Sequence, residues 1–95
     1  MNAKTTYKVP KGKLLKISLD FDNKKRRIND IKITGDFFAY PEESIETIEK
    51  KLKNIPLEKE KIEKQIDFTI KENNFKLIGV NAEQITKGIM KCFKK

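Results

Sequence analysis

Hydrophobic and polar residues alternate one by one over residues 13–22, which is the clearest pattern in the chain. Such alternation is typical of a half-buried antiparallel strand, whose successive side chains point to opposite faces of a sheet. The apolar positions, which we expect to face the core, are Leu15, Ile17, Leu19 and Phe21. Residues 1–12 close in the turn signal Pro10–Gly12, so we expect a flexible N-terminal arm there and a folded domain over residues 13–95.

A second strand is predicted over residues 28–34, after a short polar connection at residues 23–25 that favours a hairpin. Ile31 and Ile33 should face inward with the first strand. Ile28 is out of phase with these two residues, which indicates a bulge or the end of the turn.

Apolar residues recur at helical spacing in the second half of the chain and predict three helices. The first begins at Pro41, which suits the first helical position, and Asn54 ends it because Asn tolerates the left-handed conformation. The second covers residues 58–72. The third runs from an N-cap at Asn81 to about Phe93.

Residues 75–80 are apolar and alternating, and they predict an extended segment or third strand between the last two helices. The element order β-β-α-α-(β)-α defines an α+β domain, with helices packed on one face of a small antiparallel sheet. The residues expected in the core are Leu15, Ile17, Leu19, Ile31, Ile33, Ile45, Ile48, Leu52, Ile66, Ile85 and Ile89.

The sequence Gly35-Asp36-Phe37-Phe38 lies where the strand pattern gives way to the helical one. Gly35 permits a sharp change of direction. Asp36 either accepts a hydrogen bond within its own turn or faces a ligand or partner. Phe37 and Phe38 cannot both point inward from one strand, so one should anchor the junction and the other should lie near a surface or cleft.

The chain has 95 residues and a formal net charge of +8, which suits one domain with a single core. Residues 1–33 carry ten basic and three acidic side chains, whereas residues 34–73 carry seven basic and ten acidic ones. The basic part should attract phosphates, nucleic acid or an acidic protein. Alternatively, since 20 of the 22 basic residues are lysine, lysine simply coats every surface of this protein.

The residues that most often carry chemistry are scarce. There is no histidine, and Cys92 is the one cysteine, so neither a histidine base nor a zinc or iron–sulfur site is predicted. Cys92 is interpreted as a small apolar residue of the last helix. Glu42 and Glu43 complement a helix dipole more often than they form catalytic pairs. No catalytic residue and no metal site are therefore predicted.

No apolar run reaches the length of a transmembrane helix, and residues 1–7 lack the apolar region of a signal peptide. We therefore expect a cytoplasmic protein.

Several segments together resemble the C-terminal accessory domain of lipoate–protein ligases, over roughly residues 11–94. The segments that carry the resemblance are Gly12–Ile17, Ile31–Phe38, Pro41–Glu43, Ile45–Leu52, Ile78–Val80 and the final amphipathic helix. Two features depart from the family pattern. Lys53–Asn54 stands where the family often has a glycine, and no catalytic domain precedes Met1 in this sequence. The second departure resembles a two-chain ligase, in which the accessory domain is a separate subunit.

The resemblance implies an accessory subunit that is needed for ATP-dependent activation of lipoate to lipoyl-AMP and has no activity alone. ATP, magnesium and lipoate should bind the large catalytic subunit, which then passes the lipoyl group to a lysine of an acceptor domain. It also implies a fold similar to sulfur-acceptor and iron–sulfur scaffold proteins. Gly35, Asp36, Phe37 and Phe38 are the candidates for facing the partner or its active site. The alternative is a small basic nucleic-acid-binding module, which the lack of aromatic residues interleaved with basic ones disfavours.

Overall fold

A computed structural model describes residues 1–8 and 14–93 of the chain. Within these residues, five strands and three helices form an α+β arrangement with two antiparallel sheets, ordered β1-β2-β3 and β4-β5. The elements in chain order are β1 (Asn2–Lys8), β2 (Leu14–Asp22), β3 (Arg27–Gly35), β4 (Phe38–Tyr40), α1 (Ser44–Lys51), α2 (Lys59–Asn73), β5 (Lys76–Ile78) and α3 (Ala82–Phe93).

The core lies between the three-stranded sheet and the helices. α3 packs on β1 and β2, α1 packs on β3, and α2 packs against both other helices. Gly88 lets α3 approach β2 closely, since a Cβ atom there would lie 2.6 Å from Ile17 Cδ1. The helices therefore cover one face of the sheet, as the sequence predicts, and leave its other face to solvent.

The predicted hairpin is confirmed. Asp22 closes the turn between β2 and β3, because its Oδ1 accepts hydrogen bonds from the backbone N–H groups of Lys24 and Lys25 at 2.9 and 3.0 Å. The predicted bulge is confirmed as well. The pairing register shifts between Asp20 and Phe21, which places Ile28 opposite Phe21 and buries it completely.

The prediction of a flexible arm over residues 1–12 is wrong for Asn2–Lys8, which form strand β1 and pair with β2 along their whole length. The sequence pattern of β1 is weak because its inward-facing residues are small or amphipathic and only half-buried; they are Ala3, Thr5 and Tyr7. They nevertheless alternate with exposed residues, as a strand requires. The predicted turn at Pro10–Gly12 lies outside the described residues.

The first helix begins at Ser44 rather than at Pro41. The Pro41 carbonyl accepts hydrogen bonds from the Ser44 N–H at 3.0 Å and the Ser44 hydroxyl at 2.6 Å, so Pro41 belongs to the turn that precedes α1. Glu42 and Glu43 consequently lie ahead of the helix. The helix ends at Lys51 with Leu52 as its C-cap, before the predicted Asn54, which adopts the expected left-handed conformation (φ of +67°) in the turn that follows.

The other helix boundaries agree closely with the sequence pattern. α2 ends at Asn73, and its C-cap Asn74 adopts a left-handed φ of +56°. Asn81 caps α3 through its Oδ1, which accepts from the Gln84 N–H at 2.9 Å, while Gln84 Oε1 accepts from the Asn81 N–H at 3.1 Å. This reciprocal pair is a capping box.

The predicted core is confirmed apart from Ile45, which is half-buried. Further buried apolar residues are Phe21, Ile28, Leu57, Ile62 and Val80. The predicted third strand is found as β5, but it pairs with β4 in a separate sheet rather than extending the hairpin. Within residues 1–8 and 14–93, no helix has the length and apolarity needed to cross a membrane.

Candidate functional site

The junction between β3 and β4 is built on close backbone packing against the start of β2. A Cβ atom on Gly35 would collide with the Leu14 carbonyl oxygen, so only glycine fits there. The same carbonyl accepts a hydrogen bond from the Asp36 N–H at 2.9 Å. The bond is made by the Asp36 backbone, and its carboxylate side chain is exposed. Gly35 is therefore required for the turn itself.

Phe37 anchors the junction from the inside. Its side chain is half-buried and packs against the core. Gly79 lies against it, since a Cβ atom on Gly79 would be 3.4 Å from Phe37 Cβ, and the φ of Gly79 is +97°. Phe37 thus connects the end of β3 to the chain that follows β5, which confirms that one phenylalanine of the pair anchors the junction.

Phe38 points the other way, into solvent, with 63% of its surface exposed. It pairs with Ile78 across the two-stranded sheet, and Tyr40 pairs with Lys76. Paired residues of antiparallel strands share a face. Phe38, Tyr40, Lys76 and Ile78 consequently form one solvent-facing surface, which we call the β4–β5 face. Tyr40 and Ile78 are 54% and 48% exposed.

The four predicted site residues therefore divide into two pairs. Gly35 and Phe37 shape the junction, whereas Asp36 and Phe38 present their side chains to solvent. Sequence reasoning missed Tyr40 and Ile78. The period-two spacing of Phe38 and Tyr40 was the available signal, but the helix predicted from Pro41 obscured a three-residue strand.

A second solvent-facing surface lies on the outer side of the three-stranded sheet, opposite the helices. Six exposed or half-exposed residues surround a shallow open depression of about 350 Å³ there. We call this surface the lysine face, and its members are Lys4, Thr6, Lys16, Ser18, Lys32 and Thr34. At the hairpin end of the same side, Asp20 and Asp30 lie opposite each other on β2 and β3.

The two arginines are held by intramolecular contacts at the hairpin. The Arg26 guanidinium lies 4.7 Å from the centre of the Phe93 ring, within the range of a cation–π contact. Arg27 Nη1 donates a hydrogen bond to the Asn54 carbonyl at 2.7 Å. Both contacts connect the hairpin to the helical layer, so these cations stabilise the fold.

Cys92 has the environment of a structural residue. Burial raises the pKa of its thiol to about 11, and its Sγ lies 3.6 Å from the Ile17 carbonyl oxygen. Such a thiol is protonated at neutral pH and is a poor nucleophile. Among the described residues, no three His, Cys, Asp or Glu side chains come together in a way that could hold a metal ion.

Comparisons with known proteins agree with this architecture. The model of the family described as bacterial lipoate protein ligase C-terminus matches residues 2–89. The lipoate-protein ligase A subunit 2 of Thermoplasma acidophilum is 45% identical over 53 residues, which are 56% of this chain and 53% of that protein. The chain thus spans about half the length of that curated relative.

A solved structure extends the similarity over almost the whole chain. It describes the bi-partite lipoate protein ligase of Thermoplasma acidophilum and its E2 lipoyl domain. One of its chains superposes with a TM-score of 0.78 at 32% identity, and the match covers 94% of both chains. The chain therefore belongs to the family of bacterial lipoate protein ligase C-terminal domains.

Proposed function

We propose that this chain is the accessory subunit of a two-component lipoate–protein ligase and acts with a separate large catalytic subunit. The observation that carries the proposal is the match to one chain of a bi-partite lipoate protein ligase over 94% of both chains. The curated relative, named subunit 2 of such a ligase, supports the same assignment.

The proposed role is to complete the catalytic site while lipoate and ATP form lipoyl-AMP. An acyl-adenylate is readily hydrolysed, so a subunit that covers it excludes water and holds the reactants in place. ATP, magnesium and lipoate bind the catalytic subunit in this proposal, and this chain alone binds none of them. Transfer of the lipoyl group to a lysine of the acceptor domain depends much less on this covering subunit.

The β4–β5 face is the proposed contact with the catalytic subunit. Interfaces place aromatic and aliphatic side chains at their centre and charged ones at the rim. Here Phe38, Tyr40 and Ile78 provide the apolar centre, while Asp36 and Lys76 provide exposed charges beside it. Gly35 and Phe37 hold this surface in position from below. We expect a contact of about 600–1,500 Å².

Two finer expectations belong to the same proposal. One is a relationship to the fold of sulfur-acceptor and iron–sulfur scaffold proteins, with which the α+β arrangement is compatible. The other is a cytoplasmic location, where lipoylation of soluble acceptor proteins would take place.

Release of pyrophosphate from ATP and lipoate, measured without any acceptor domain, tests the proposal. We expect none from this chain alone and a marked gain when it is mixed with its cognate catalytic subunit. When lipoyl transfer from preformed lipoyl-AMP to an acceptor domain is measured instead, the gain on mixing should be much smaller. Activity from this chain alone, or no gain on mixing, would contradict the assignment.

Two matched variants test the contact surface. Phe38→Ser should weaken association with the catalytic subunit about 30-fold, as loss of a central aromatic side chain does at other interfaces. Phe68→Ser is the control, because Phe68 is similarly exposed, at 59%, but lies on α2. Equal effects of the two variants would show that the β4–β5 face has no special role.

A further inference from the structure

We propose that the lysine face is a docking surface for an acidic protein, namely the acceptor domain whose lysine receives the lipoyl group. The chain would then recruit the protein substrate in addition to covering the catalytic site. This inference rests on the proposed function, because an acceptor domain is a partner only if the chain belongs to a working ligase.

The pairing register concentrates three cations on a small area. Lys4, Ser18 and Lys32 lie side by side in one row across the three strands. Thr6, Lys16 and Thr34 form the adjacent row. Neighbouring strands are about 4.8 Å apart, so the outer two lysines of the first row are separated by roughly 10 Å at the backbone. Three hydroxyl groups between them can donate further hydrogen bonds to carboxylates.

The charges of these three lysines are available to a partner. Among the described residues, the ion pairs between side chains lie on the helical layer and join Lys61 to Glu58, Lys71 to Asp67 and Lys87 to Glu83. The ion pair on the sheet joins the Met1 ammonium to Asp20 and involves none of the three lysines of the lysine face. Lys4, Lys16 and Lys32 are exposed. A partner with acidic side chains would supply counter-charges to this surface.

The same side of the sheet also carries negative charge, which decides what kind of anion fits. Asp20 and Asp30 form the next row beyond Ser18 and Lys32. The Met1 ammonium lies 3.7 Å from Asp20 Oδ1 and offsets part of this charge, so one net negative charge remains in the row. A nucleic acid laid along the strands would be repelled by this acidic end, because its backbone is negative throughout. A folded protein can match a surface that changes sign along its length. The cations of the face are also all lysines, whereas arginine predominates where phosphates are read bidentately.

The lysine face and the β4–β5 face differ in the kind of association that they suit. A permanent subunit contact is favoured by apolar side chains, as on the β4–β5 face. An acceptor domain must arrive and leave in every catalytic cycle, and charge complementarity speeds such encounters without requiring tight binding. We therefore assign the catalytic subunit to the β4–β5 face and the acceptor domain to the lysine face.

Steady-state transfer by the two-chain enzyme to the E2 lipoyl domain of the same organism tests this assignment. The variant Lys4→Gln/Lys16→Gln/Lys32→Gln should raise the KM for the acceptor about tenfold and leave kcat unchanged, since it removes three rim charges. A matched control with the same change of net charge is Lys51→Gln/Lys53→Gln/Lys64→Gln, whose exposed lysines lie in the helical layer. The control should change KM less than about twofold.

Four results would overturn the inference. One is an unchanged acceptor KM in the lysine-face variant, and another is an equal rise in the control. The third is failure of the variant to associate with the catalytic subunit, which would make the lysine face part of the permanent contact. Tight binding of a 20-nucleotide single strand at 150 mM salt, lost in the variant, would likewise favour nucleic acid instead. Pyrophosphate release without acceptor should be unaffected by the variant, so it reports separately on the proposed function.

Discussion

The outer face of the three-stranded sheet and the β4–β5 face arise from the same alternating backbone pattern, yet their exposed side chains are opposite in character. Lysines and hydroxyl residues occupy the first, whereas two aromatic residues and an isoleucine occupy the second. Water solvates the first surface well. Apolar area exposed on the second costs free energy until something covers it, at about 25 cal/mol per Å².

The β3 edge of the larger sheet is covered by other parts of the chain. Asn54–Leu57 run along the hairpin end of β3, where the Ile28 N–H donates to the Ile55 carbonyl at 3.0 Å. Further along β3, the Ile33 N–H donates to Glu49 Oε2 at 2.7 Å. The larger sheet thus protects β3 within the chain itself, as edge strands generally require. By contrast, Phe38 and Tyr40 of the smaller sheet stay exposed, which fits the partner contact proposed for the β4–β5 face.

The largest expected difference is in the free energy of unfolding, between a variant in the core beneath the larger sheet and a variant on the β4–β5 face. Ile48 is fully buried beneath β3 on α1, so Ile48→Ala should lower the free energy of unfolding by about 2–5 kcal/mol. Phe38→Ala should change it by less than about 0.5 kcal/mol, because Phe38 is mostly exposed. Urea unfolding of both variants measures the contrast. Equal stability losses would show that the β4–β5 face belongs to the core.

The next effect concerns the junction that supports the β4–β5 face. Gly35→Ala should cost about 1–3 kcal/mol of stability, since the added Cβ meets the Leu14 carbonyl and disturbs its hydrogen bond to Asp36. Asp36→Ala keeps the backbone and should be nearly neutral for folding, but should weaken association or adenylation if the carboxylate faces the partner. Thermal melts measure the stability loss expected for Gly35→Ala, and pyrophosphate release measures the functional loss expected for Asp36→Ala. A stable Gly35→Ala variant would contradict the close packing described for the junction.

The β2–β3 hairpin of the larger sheet could be predicted well from sequence because its signals are local and strong. Strict alternation in β2 and the phase change at Ile28 specified the hairpin, its bulge and the buried face. β1 was missed because Ala3, Thr5 and Tyr7 form a weak apolar stripe that is stabilised by pairing with β2. A strand whose inward side chains are small depends on its neighbour for its structure, so its own sequence shows little.

The candidate site was harder to predict because its parts come together only in three dimensions. Phe38 and Ile78 are 40 positions apart, and their pairing depends on how α1 and α2 return the chain to the junction. The resemblance pointed to Gly35–Phe38 as a unit, but spacing could not tell which of these side chains support the turn and which are exposed. That division follows from the Leu14 carbonyl and from Gly79, which lie far from the junction in sequence.

A smaller effect, on salt dependence, should differ between the two faces. Raising NaCl from 50 to 500 mM should increase the KM for the acceptor domain about five- to tenfold. At that ionic strength, interactions between exposed charges are screened beyond a few ångströms. Association with the catalytic subunit through Phe38 and Tyr40 should change less than about threefold. Steady-state kinetics and equilibrium sedimentation measure the two quantities. A subunit contact that weakens more than the acceptor interaction would reverse the assignment of the faces.

The smallest expected effect is on the pH dependence of stability and comes from Glu49, whose carboxylate covers the edge of β3. Partial burial raises the pKa of Glu49 above 4.5, against the opposing effects of the Ile33 N–H and the Lys32 charge. A raised pKa in the folded state means that the folded chain binds more protons than the unfolded chain in that range. The contribution of Glu49 to stability therefore decreases as the pH rises through 4.5 and the folded pKa. Asp22 acts oppositely, because the N–H groups of Lys25 and Lys24 lower its pKa below 3.8, so its contribution is lost only in stronger acid.

Glu49→Gln removes this titration but keeps an oxygen that can accept from the Ile33 N–H. Urea unfolding between pH 3 and 7 should show equal stability of the two proteins near pH 3, where Glu49 is protonated in both states. Near pH 7 the variant should be more stable by about 0.5 kcal/mol or less, since the desolvated charge is gone. Glu49→Ala is the control: because it also removes the acceptor, it should cost about 1 kcal/mol near pH 3 and less near pH 7, where the Glu49 charge already lowers the stability of the unmodified protein. If Glu49→Gln instead lowers stability only at neutral pH, the charge of Glu49 stabilises the folded protein, most directly through Lys32. That result would contradict a raised pKa of Glu49 in the folded state.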